Sequence, residues 1–192
     1  MPRIACLHKA PSNQALFDHA LAALGTPDVE LAHHIRADLL EAAEQAGIMT
    51  QAVAAATQAG LLELTQNADA VLLTCSTLGP AADALADSAI PILRVDTALA
   101  RAAVRQGGFV AVLRAVATTV EPTRLLFEAA ARATGATQIA LAQASMSAAG
   151  HSRAGPPLLT SPTAGHQAIL SRCPDQSRFQ ERRRTVTPHD SP

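Results

Sequence analysis

Aromatic residues are almost missing from this chain of 192 residues, which has four Phe, no Trp and no Tyr. Without stacking platforms a single-stranded nucleic acid finds no surface to hold its bases. An excess of one charge is also missing: 15 Lys and Arg face 16 Asp and Glu, for a net charge of −1. No broad basic field therefore draws the chain to nucleic acid or to a membrane surface. Cysteine is sparse. Cys6, Cys75 and Cys173 are odd in number and widely spaced, with no CxxC, which argues against a disulfide framework or a zinc site and for a reducing cytoplasm. No apolar run approaches the roughly 20 residues that span a bilayer, and Met1–His8 does not read as a secretory signal.

Several reactive signatures are absent as well. There is no GxSxG elbow, no GxxxxGK phosphate loop and no GxGxxG after a strand. A phosphatase-type loop from Cys75 would need an arginine where the chain has Ala81.

What remains is a composition that folds. Hydrophobic residues make up 48% and charged residues 16%, enough apolar content for one sizeable core or two small lobes. Strands are expected at Arg3–Leu7, Val29–Ile35, Ala70–Thr74, Pro91–Val95, Phe109–Leu113, Gln138–Ala142 and Pro157–Thr160. Helices are expected at Asn13–Leu24, Ala37–Ala46, Thr50–Gln66, Pro80–Ala86, Thr97–Gln106, Pro122–Thr134 and Thr163–Ser171. Ser12, Pro80 and Pro122 supply start signals. Strands that alternate with helices and are apolar throughout predict an α/β fold, with parallel sheets covered by helices.

The pattern also repeats. Arg3–Leu7 resembles Phe109–Leu113, Ala70–Thr77 resembles Gln138–Ser145, and Ile90–Leu93 resembles Pro156–Leu159. Two pseudo-duplicated lobes follow, residues 1–107 and residues 108–171. The second is shorter: a strand and two helices fit between Leu24 and Ala70, whereas Gln138 follows Thr134 almost at once. The expectation is an internal deletion that leaves the second lobe incomplete. Residues 172–192 lose all apolar periodicity and read as a disordered tail, with Arg182–Arg184 a solvated basic cluster.

Chemistry concentrates at Thr74-Cys75-Ser76-Thr77-Leu78-Gly79-Pro80, where an apolar strand ends in a thiol beside a helix start. Strand carboxyl ends are where open α/β sheets bind ligands, and helix N–H groups favour both a thiolate and a bound anion. Cys75 is thus the candidate nucleophile or base. Cys6, inside a strand, reads as core, and Cys173 as an incidental tail residue. Thr74, Ser76, Thr77, Ser12, Asn13 and Thr119 offer polar groups on loops that follow strands, as helix caps or as carboxylate ligands. His8, at the end of the first strand, is a packed residue or an acid–base group. His33 and His34 alternate across a strand and cannot easily share a metal. Glu30, Asp38 and Glu41 read as solvated ends.

Thr74–Pro80, the duplicated layout, Ala117–Arg124, Leu141–Met146 and Leu159–Pro162 together resemble the aspartate/glutamate/hydantoin racemase superfamily over roughly Pro2 to Leu170. The resemblance implies two α/β lobes around a cleft, cofactor-independent chemistry on a small carboxylate, and often a homodimer. It also implies two cysteines acting as opposed bases. Cys75 matches the first, while Gln143 stands where the second would fall. Ser12, Asn13, Ser76, Thr77 and Thr119 match substrate-contacting positions. The expected function is a racemase- or isomerase-like enzyme that uses Cys75, with no metal, no nucleic acid and no membrane. A degenerate, non-catalytic relative and a small-anion-binding α/β module remain open beside it.

Overall fold

Strands that are apolar on both faces need cover on both faces, and the chain supplies it with helices. The computed structural model describes residues 1–105, 108–113, 136–141 and 158–173. Strands β1 (Arg3–His8), β2 (Glu30–Ile35), β3 (Ala70–Leu73) and β4 (Ile92–Arg94) form a sheet of order β2-β1-β3-β4, parallel throughout. Strands β5 (Gly108–Leu113), β6 (Ala136–Leu141) and β7 (Leu158–Thr160) form a second parallel sheet of order β5-β6-β7. The order β1-β3-β4 recurs as β5-β6-β7, matching the repeat read from the sequence. Residues 9–69 join β1 to β3, whereas only residues 114–135 join β5 to β6.

The helices are α1 (Ser12–Ala23), α2 (Ala37–Ala46), α3 (Gln51–Leu64), α4 (Gly79–Asp83), α5 (Val95–Val104) and α6 (Ser161–Leu170). Thr50 caps α3 by accepting the Val53 N–H at 3.2 Å, and Gly47 ends α2 at φ 70°, a left-handed turn that suits glycine. Among the described residues no helix is long and apolar enough to cross a membrane. The helix expected at Pro122–Thr134 lies outside the described residues.

Alternate residues of β1 and β3 feed two cores. Ala5, Leu7, Val71 and Leu73 pack with Leu39, Ala43, Val53 and Leu61 of α2 and α3. Ile4, Cys6, Ala70 and Leu72 pack on the other face with Phe17 and Leu21 of α1 and Ile169 of α6. Helix α6 follows the last strand of the second sheet yet seats on the first. Gly165 permits this, since a Cβ there would lie 2.7 Å from Val95 Cγ1 of α5.

Three expectations change. Cys173 is a core residue, 1% exposed and packed in the Phe17 layer, because the turn after α6 folds it back onto the sheet. Helix α4 has five residues, shorter than the alanine-rich run suggests. Ser12 is the first residue of α1, with no side-chain cap at that helix start.

Candidate active site

Parallel strands bring their carboxyl ends to one edge of the first sheet, so the residues after β1, β3 and β4 become neighbours. The ends of β1 and β3 are tied by side chains. The Thr74 hydroxyl donates to the Leu7 carbonyl at 3.0 Å, and His8 Nδ1 lies 2.9 Å from Thr74 Oγ1. That anchor fixes where the chain leaves β3, and so where Cys75 stands.

Cys75 is 4% exposed and joins the layer formed with Leu73, Leu78 and Ala82. Burial pushes its thiol above the ordinary value, against the Leu78 and Thr77 N–H groups and the positive charge of Lys9, with Asp96 adding to the rise. The thiolate expected from the helix start is thus not the resting form. Helix α4 is too short for a full dipole, and removal of sulfur from water outweighs two N–H groups. The local groups nevertheless favour the anion, and that preference gains weight whenever a cation approaches.

Ser76 and Thr77 are buried beside Cys75, and Ser12 is exposed. Asn13 is 1% exposed, and neither its Nδ2 nor its Oδ1 has a hydrogen-bond partner. A buried amide left unsatisfied costs about 1–3 kcal/mol, so both its donor and its acceptor stand ready for another polar group. Thr119, Gln143, Ala144 and Ser145 lie outside the described residues.

Two polar constellations were not legible in advance. Arg94, at the end of β4, is buried with its guanidinium paired to Asp96 at 2.9 and 2.8 Å and to Asp83 at 2.5 Å. It lies against Gly79, where an added Cβ would collide with the Arg94 guanidinium. This cluster therefore braces the loop that carries Cys75. The Arg94–Asp96 spacing was its only sequence signal. The second constellation runs from Thr74 through His8 to His33 at 2.8 Å and on to Asp18 at 2.9 Å. Burial, with His33 close by, pushes His8 down to about 4, so it stays neutral near pH 7. His8 also packs edge-on against Phe17. A cavity of about 260 Å³ opens between the β1–β2 edge and α3, lined by Ala5, Leu7, His34, Arg36 and Glu63 among others, and Cys75 is not in its lining.

No protein-family model and no curated protein matches the sequence. Solved structures do match. The aspartate racemase of Picrophilus torridus superposes with a TM-score of 0.59 at 13% identity, covering 93% of this chain and 99% of its own. The glutamate racemase of Thermus thermophilus, in complex with β-chloro-D-alanine, gives a TM-score of 0.59 at 16% identity, covering 98% of this chain and 84% of its own. Both coverages run through the two sheets, and the chain has the fold of the Asp/Glu racemases.

Proposed function

We propose that this chain is a cofactor-independent, racemase-like isomerase that acts on a small carboxylate such as an amino acid, with Cys75 as its base. One observation carries the reading: Cys75 follows β3 at the ligand-binding edge of an Asp/Glu racemase fold, with two N–H groups favouring its thiolate. The Thermus protein holds β-chloro-D-alanine, a small amino acid of the class envisaged here. The unpaired amide of Asn13 and the hydroxyls of Ser76 and Thr77 hold the substrate carboxylate, with Ser12 and Thr119 completing the loops around it.

Burial of Cys75 keeps the thiol protonated until charge arrives. The ammonium group of an amino acid, added to Lys9, offsets the desolvation that holds the proton on sulfur. The S–H bond then breaks with its proton going to water, and the thiolate takes the α-proton: the C–H bond breaks, a new S–H bond forms, and the electron pair spreads into the carboxylate. The proton returns from sulfur to the same face after exchange with water. Inversion needs a second donor on the opposite face, and Gln143 is neither acid nor base. Exchange therefore outpaces racemisation. The test is incubation with candidate amino acids in heavy water, read by proton NMR: loss of the α-proton signal supports the reading, and no exchange with any of them counts against it.

A second reading is a non-catalytic binder of small carboxylates, derived from a racemase by loss of a strand and its helices between Thr134 and Gln138. The raised, buried Cys75 thiol favours it. A carboxylate-dependent rise in Tm without α-proton exchange would select it.

A further inference from the structure

On the α1 face of the first sheet, behind the strand ends, three metal-ligating side chains converge. Cys6 and His8 are two residues apart on β1 and so point to the same face. The β1–β2 register sets Cys6 beside His33. The Cys6 sulfur and a ring nitrogen of each histidine all lie within 4.8 Å of one another. Cys6 and His8 are buried, while the His33 side chain is 13% exposed and gives the group a route to solvent.

Both rings are held through the nitrogen turned away from the other. His8 Nδ1 meets Thr74 Oγ1 at 2.9 Å, and His33 Nε2 meets the Asp18 carboxylate at 2.9 Å. The inward nitrogens, His8 Nε2 and His33 Nδ1, are 2.8 Å apart. Two imidazole nitrogens at that distance need a proton between them, and a metal ion can take its place. The Asp18–His33 pair is the carboxylate–histidine arrangement that orients a metal-bound ring and raises its basicity.

We propose that Cys6, His8 and His33 bind one divalent transition-metal ion of the zinc class, with Asp18 and Thr74 as orienting partners. One thiolate and two imidazoles suit zinc or cobalt, whereas magnesium and calcium prefer oxygen. On binding, the Cys6 S–H bond and the N–H bond between the two rings break, both protons go to water, and one sulfur–metal and two nitrogen–metal bonds form. His8 keeps a proton on Nδ1, donated to Thr74 Oγ1, whose own proton goes to the Leu7 carbonyl. His33 keeps its Nε2 proton on Asp18. Ligand atoms around tetrahedral zinc sit about 3.3–3.6 Å apart, so the two nitrogens separate by about 0.5 Å and the sulfur, already within 4.8 Å of them, closes at most about 1 Å. Three protein ligands leave a fourth position for water. The cluster belongs to the Phe17 layer and Cys75 to the opposite one, so the site stands whether or not Cys75 is catalytic.

The experiment strips the full chain with a chelator and titrates it with Co²⁺, then Zn²⁺. The expected result is one equivalent of cobalt with a thiolate-to-cobalt absorption band, displaced by zinc, and a rise in Tm with zinc. Cys6→Ser loses the band. His33→Gln, on the half-exposed edge strand and therefore tolerant, weakens binding at least tenfold, and Asp18→Asn weakens it by about tenfold. Absence of stoichiometric binding overturns the site. So does binding that is unchanged in either Cys6→Ser or His33→Gln, since the ion then sits elsewhere.

Discussion

At Cys75, burial pulls the thiol one way and the Thr77 and Leu78 N–H groups, with Lys9, pull it the other. The net direction is upward, so Cys75 is expected to react with iodoacetamide at neutral pH more slowly than a free thiol. Alkylation should accelerate with pH only above the ordinary thiol range. Asn13 gives the complementary test. Because its amide has no partner, Asn13→Leu forfeits no internal hydrogen bond, and urea denaturation should show stability unchanged or raised by about 1 kcal/mol. The same variant should lose any carboxylate-dependent rise in Tm at least tenfold in ligand concentration. The placement of Cys75 just after β3 and of Asn13 just after β1 was legible, because an apolar run that stops at small polar residues marks the carboxyl end of a parallel strand. Arg94 and His33 were not, since their partners Asp83 and Asp18 are brought to them only by helix packing and strand register. Cys173 was misjudged because the polar residues around it hide a turn that returns to the core.

Among the elements, the connection from β3 through α4 is held from below by the end of β4. Gly79→Ala would drive a methyl into a guanidinium that Asp96 and Asp83 fix in place. Displacing Arg94 leaves buried charge unpaired, and the expected loss is about 3–4 kcal/mol in urea unfolding. Adding Arg94→Lys to Gly79→Ala should rescue little, because an ammonium cannot repeat the two bonds to Asp96. The strands themselves were readable from unbroken apolar runs, and their parallel order followed from alternation with helices. Boundaries moved where local bonds decide them. Helix α5 starts at Val95, two residues earlier than the pattern suggests, with Asp96 Oδ1 accepting the Thr97 N–H at 2.9 Å.

For the whole molecule, α6 is the element that returns from the second sheet to the first. Gly165 against Val95, and His166 Nε2 donating to the Phe17 carbonyl at 3.0 Å, fix that return. Burial pushes His166 down to about 4, against its bond to Phe17, with nearby His33 adding to the fall and Asp18 opposing it. As pH drops below 6.5 the unfolded chain takes up a proton that the folded chain refuses until about 4. Stability is therefore whole above pH 6.5 and falls across that window, by about 3 kcal/mol for this group. His8 adds a loss of the same sign. Urea midpoints measured from pH 7 to pH 4 should fall less steeply in His166→Gln than in the native chain.

The proposal of proton transfer beside a carboxylate rests on the fold, the strand-end thiol and the open amide of Asn13, and one comparison tests it most directly. Solvent exchange of the α-proton is followed by NMR in heavy water, with the native chain and Cys75→Ser side by side on the same panel of amino acids. The account predicts exchange by the native chain for at least one substrate, with little inversion, and a loss of at least a hundredfold in Cys75→Ser. Exchange that persists undiminished in Cys75→Ser, or its absence in the native chain across the panel, would contradict it.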